Sequence, residues 1–190
     1  GGIPGASIPT KDDHVIFDNN SFTSNNQSVI IKDVAYCNDF IWEVDNYKPT
    51  LKSAAFIFKR LTKAEIEVYG SLIIGEHINH EFFGDLILKG TTENSVAIAT
   101  KLKGDLLINS AEGKWNILKD LTTDGDIQLI SGNLDLNDKN IECKAFIGSG
   151  DKPRSIQLGS SEITANSWDF ENYTNLDFSA KDFLVILKNP

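Results

Sequence analysis

Short apolar runs recur along the whole chain, separated by Gly, Asn, Asp, Ser and Lys. They include Val15-Ile16-Phe17, Ser28-Val29-Ile30-Ile31, Asp39 to Val44, Ala55 to Phe58, Ile66 to Tyr69 and Val96 to Ala99. Further runs are Trp115 to Leu118, Ile141 to Phe146, Ser155 to Leu158, Ser167 to Phe170 and Phe183 to Leu187. Most are rich in β-branched and aromatic residues, which suit a pleated, half-buried surface. No window of about a dozen residues keeps apolar positions at i, i+3, i+4 and i+7, so the pattern predicts little helix. The two-residue Asn-Gly or Asp-Gly hairpin signal occurs only at Asp124-Gly125, which argues against a sandwich built from hairpins.

One phrase recurs within this pattern. It reads GSLII from Gly70, GDLIL from Gly84, GDLLI from Gly104 and GDIQL from Gly125, so the starts lie 14, 20 and 21 residues apart. A strand-type phrase with a period near 20 is the mark of a solenoid, in which one coil cannot bury its apolar side alone. The expected fold is therefore all-β: a right-handed parallel β-helix of about eight coils over residues 28–190. Residues 1–27 would form a linker and an N-terminal cap over the open core.

Composition narrows the possibilities. A net charge of −9 argues against a nucleic-acid partner, which needs a basic stripe. No run approaches the roughly 18 apolar residues of a membrane span. The chain has no Met, starts Gly1-Gly2-Ile3-Pro4-Gly5 and ends Lys188-Asn189-Pro190. It reads as a monomeric segment of a longer, processed polypeptide whose remaining part carries the export signal.

The same residues resemble the β-solenoid modules of large adhesin-like secreted and cell-surface proteins of Bacteroidetes, many exported by the type IX system. The phrases that carry the resemblance begin with Asp13 to Asp18, Ser21-Phe22-Thr23 and Ala35 to Asp39 with Trp42. They continue through Gly70-Ser71-Leu72, Phe83 to Leu86, Gly113 to Asp120, Gly132 to Asp135, Leu158 to Ile163 and Ser167 to Phe170. This chain carries more Lys, Asp and Glu than is usual there. The resemblance implies a parallel β-helix with an adhesive or spacer role, acting on an extracellular glycan or another cell surface, and no catalytic residues.

Three groups of side chains are candidates for chemistry. Asp85, Asp105 and Asp126 each follow a phrase glycine, with Ser71 in the corresponding place of the first phrase. Stacked at one corner, they would form either a solvated acidic edge or a weak Ca²⁺ site, since a hard cation favours several oxygen ligands. Trp42, Trp115 and Trp168 would be either stacking platforms for a glycan or core fillers. His77 and His80, in Glu76 to Glu81, have a spacing that suits a helix face, yet the segment reads as a solvated turn with no third metal ligand nearby. Cys37 and Cys143, about five coils apart, are expected to be buried free thiols.

No nucleophile elbow or phosphate loop is present, so the expected function is a non-enzymatic structural or adhesive module. The alternatives are a polysaccharide lyase or hydrolase, which parallel β-helices also host, and a carbohydrate-binding module.

Overall fold

The computed structural model describes residues 7–54, 63–170 and 172–188; the run Ala55 to Phe58 lies outside them. Among the described residues every regular element is a strand, and all strand pairs are parallel. Among those residues no helix is long and apolar enough to cross a membrane. The strands wind as a solenoid with three faces.

The first turn is β1 (Val15–Phe17), β2 (Ser28–Ile31) and β3 (Val34–Cys37), and the second is β4 (Phe40–Trp42), β5 (Thr50–Ser53) and β6 (Glu65–Val68). The third is β7 (Leu72–Ile74), β8 (Asn79–Glu81) and β9 (Asp85–Leu88). The fourth opens with β10 (Glu93–Ile98), keeps only a bridge at Leu102 on its second side, and runs into β11 (Leu106–Ile117). That long strand rounds a corner, so its second half opens the fifth turn, followed by β12 (Leu121–Thr122) and β13 (Ile127–Asp135). Then come β14 (Ile141–Glu142), β15 (Ala145–Ile147), β16 (Arg154–Gln157), β17 (Glu162–Ala165), β18 (Ser167–Asp169), β19 (Leu176–Ser179) and β20 (Leu184–Leu187). The result is about seven turns rather than about eight, roughly 34 Å of stack at 4.8 Å per strand spacing.

Register explains the period. On the third face the inward column runs Leu86, Leu106, Ile127, Phe146 and Trp168, at steps of 19 to 22 residues. The step from Ala35 to Ile66 is 31 residues, because the second turn carries extra chain between β5 and β6. That long turn is one reason the count falls below eight. Alternation then does the packing: a strand sends every second side chain inward, and each column of inward side chains is apolar along most of its length. Cys37, Val68, Leu88, Ile108 and Leu129 form one such column, all buried.

The recurring phrase proves to mark two different corners. Gly70 precedes β7 on the first face, whereas Gly84, Gly104 and Gly125 lead into the third face. The interval of 14 is thus part of a turn, and those of 20 and 21 are whole turns. Ser71 consequently does not continue the aspartate column; the residue below Asp85 is Glu65.

The third-face glycines are required by close approach. A Cβ on Gly104 would overlap the carbonyl oxygen of Gly84, and one on Gly84 would overlap that of Ala64. A Cβ on Gly125 would lie 2.5 Å from the Gly104 oxygen. Gly104→Ala should therefore force two turns apart and destabilise the fold by about 1–3 kcal/mol, the usual range for overpacking. Urea unfolding followed by far-UV circular dichroism measures this; an unchanged midpoint would refute the close-approach argument.

Candidate functional site

At the solenoid corners backbone N–H groups turn away from the strand ladders and need other partners. Short polar side chains supply them from one turn to the next. The N–H of Ser71 donates to Asp39 Oδ1 (2.6 Å), that of Asp126 to Asp105 Oδ1 (2.8 Å) and that of Asn140 to Asp120 Oδ1 (2.8 Å). The N–H of Ser160 donates to Asp138 Oδ1 (2.8 Å) and that of Glu162 to Asn140 Oδ1 (2.9 Å). Each acceptor lies 20 to 32 residues before its donor. The regularity is a property of stacked turns, invisible in any local window.

The aspartates do come together on the third face. Asp105 lies directly above Asp85, and Lys63 Nζ sits against both, 2.5 Å from Asp105 Oδ2 and closer still to Asp85 Oδ1. The two carboxyls are near enough to share a hydrogen bond. Burial pushes the Asp85 carboxyl up, and Lys63 offsets only part of that, with the charge of Asp105 adding to the rise. Burial acts on Asp105 as well, but Lys63 and the Asp126 N–H outweigh it and hold that carboxyl below its ordinary value. Asp126 stands one turn on; its Oδ1 is buried without a hydrogen bond, with Lys144 Nζ 3.7 Å away. Among the described residues no three His, Cys, Asp or Glu side chains converge as a metal site would require. Ca²⁺ could use the column only by displacing Lys63 from Asp85 and Asp105.

The tryptophans divide. Trp42 and Trp115 are fully buried, leaving neither ring face open to a ligand. Trp42 packs with Phe17 and Phe22 at centroid separations of 4.6 and 5.2 Å. Trp168 is half-buried and stacks on Phe170 at 4.5 Å. Both line a groove of about 790 Å³ at the C-terminal end of the stack, with Tyr173, Phe178, Phe183 and Leu187.

The histidine segment is not the solvated turn that its composition suggests. His77 is exposed in the turn, but His80 lies on β8 pointing inward, in one column with Val29 and Leu51. It is 8% exposed, and neither ring nitrogen has a hydrogen-bond partner. Burial, with Lys103 adding a smaller push, lowers its pKa to about 4.

Other groups with catalytic potential are committed. His14 Nδ1 lies 2.7 Å from Asp39 Oδ2, and Ser71 Oγ accepts from the Ser95 N–H. The aspartate thus stands between histidine and serine, which is not the order a nucleophilic triad needs. Arg154 is buried and donates to the carbonyl oxygens of Gly148 (2.5 Å), Lys152 (2.9 Å), Thr174 (3.0 Å) and Asn172, leaving no fork for a substrate. Cys37 and Cys143 are unbonded and buried in the first and sixth turns, and burial pushes both thiols up to about 12.

No family model, curated protein or solved structure matches the chain.

With Lys63 neutralising the pair, added Ca²⁺ or chelator should leave the melting temperature unchanged. Lys63→Met should lower stability at pH 7 by about 1 kcal/mol, a value discounted for solvent screening. It should also make stability rise as pH falls, because unneutralised carboxyls with raised native pKa values bind more protons folded than unfolded. A Ca²⁺-dependent rise in melting temperature that Asp105→Asn abolishes would instead assign the column to a cation.

Proposed function

We propose that the chain is a non-enzymatic rod segment of a bacterial secreted or cell-surface protein, used to space or present an adhesive surface. The observation that carries this reading is the commitment of its polar groups: the corner Asp and Asn side chains hold the next turn's backbone, and Arg154 holds four carbonyls. A glycoside hydrolase needs two carboxyls about 5–9.5 Å apart with room for substrate. Asp85 and Asp105 are instead closed on each other and on Lys63. The resemblance to type IX-exported modules of Bacteroidetes supports the location, with an extracellular glycan or another cell surface as the partner.

One observation favours a carbohydrate-binding reading beside it. The stacked Trp168 and Phe170, with Tyr173 at the rim of the C-terminal groove, offer aromatic faces of the kind a sugar ring stacks on. A polysaccharide depolymerisation panel and a glycan array separate these readings. The rod predicts no product on the panel and no glycan retained at the end groove. Retention lost in both Trp168→Ala and Tyr173→Ala would make the end groove a binding site. Depolymerisation lost in Asp85→Asn or Lys63→Met would overturn the non-enzymatic reading.

A further inference from the structure

The second face of the solenoid is not continuous. Strands β2, β5 and β8 form one sheet, and β12, β14, β17 and β20 form another. Between them the fourth turn contributes only Leu102, and that residue bonds forward: its N–H donates to Thr122 O (2.9 Å) and its carbonyl accepts from the Asp124 N–H (3.0 Å). Among the described residues no backbone hydrogen bond joins β8 to residues 100–103. The other two faces pass this level intact, β7 pairing with β10 and β9 with β11. The rod therefore has a seam on one side only, with two bonded faces opposite it.

His80 lies at this seam, and its inward position follows from register. It pairs with Leu51, which pairs with Val29. A neutral imidazole without partners is tolerated there, but an imidazolium is not, because burying an unpaired charge costs far more than burying a dipole. The neighbouring charges would not rescue it. On its own segment Glu76, His77 and Glu81 are exposed, and His77 lies 3.9 Å from Asp45. From β5 comes Lys52, paired in register with Glu81. Across the seam stand Lys101 and Lys103, both tied to Asp124 at 2.5 and 2.7 Å. The charge that acts on His80 from across the seam is thus Lys103, of like sign.

We propose that the second face is an acid-opened seam: protonation of His80 drives β8 away from the 100–103 segment while the first and third faces stay bonded. The solenoid then opens and bends between its third and fourth turns, and the imidazole reaches water. Buried, His80 titrates near 4; in the opened state it titrates near its ordinary value of about 6.5. A group with a depressed native pKa that is neutral when buried favours the closed state fully above about pH 6.5. That preference is lost as pH falls from there towards 4. The opening constant at pH 4.5 should therefore exceed its value at pH 8 by on the order of 10²-fold.

Amide hydrogen exchange, corrected for intrinsic rates, tests this at pH 8 and pH 4.5. Turning the charged imidazole out to water breaks β8 from β5 as well, so protection should fall by on the order of 10²-fold at Asn79, whose N–H bonds to Pro49 O. It should stay unchanged at Leu102, whose bond to Thr122 O runs away from the seam, and at Cys143, two turns beyond it. His80→Leu should abolish the pH dependence, and His80→Gln, which also cannot charge, serves if the leucine variant misfolds. An imidazole titration by NMR should place His80 well below 6.5. The proposal is overturned if Asn79 keeps its protection at pH 4.5. It also fails if both variants retain the loss, which would assign it to nearby carboxylates, or if protection falls equally in every turn.

Discussion

Everything in this molecule depends on how closely one turn can approach the next. The faces solve this in the ordinary way, with parallel ladders at the strand spacing. The corners are harder, because there the chain bends and its N–H groups leave the ladder. Two devices keep the corners tight. Glycine columns let backbone pass over backbone, as where a Cβ on Gly104 would meet the Gly84 oxygen. Short Asp and Asn side chains then reach up to the next turn, as Asp105 does to the Asp126 N–H and Asp120 to that of Asn140. Glycine removes the obstacle and the carboxylate or amide supplies the bond; among the phrase aspartates it is Asp105 that does so.

The core follows from the same stacking. A residue in register with its own kind one turn away meets similar size and chemistry, so apolar columns extend at little cost in fit. Cys37 fits within such a column because a thiol behaves as a small hydrophobe. His80 does not, since both of its ring nitrogens are left without partners. Its column, Val29 and Leu51 below it, belongs to the face whose ladder stops at β8. The polar interruption of the core and the interruption of the backbone ladder thus coincide at one level of the described rod.

The architecture was legible in the sequence because its signal is periodic: Gly84, Gly104 and Gly125 repeat at the length of a turn, and apolar runs fall between turn residues. Gly70 misled because a glycine marks a corner without saying which of three. The count of turns suffered from the long second turn, whose extra chain between β5 and β6 looks like any other β-type run. His80 was missed for a physical reason. Its local sequence, Glu76 to Glu81, is polar but for Ile78, and burial was decided by Leu51 a turn away. Lys63 was missed likewise, standing 22 and 42 residues from the carboxylates it joins.

That lysine decides what the acidic column can be. Stacked turns bring like charges within a few ångströms, and an unrelieved carboxylate column would repel itself turn by turn. Three remedies exist: water, a cation from solution, or a basic side chain. The long second turn ends beside this corner and delivers Lys63 between Asp85 and Asp105. A tethered ammonium has an advantage over a free ion, because folding has already fixed its position and no binding entropy remains to be lost. The unequal carboxyls that result, Asp85 raised and Asp105 lowered, resemble an acid–base pair in their titration alone. They differ from one in geometry: groups closed on each other and on a shared cation leave no room for a reacting bond between them. Asp126 lies beyond the reach of that lysine, its buried Oδ1 3.7 Å from Lys144. The column is therefore two chemically distinct parts, a clamped pair and a loosely compensated third member, and the spacing of the phrases alone could not separate them.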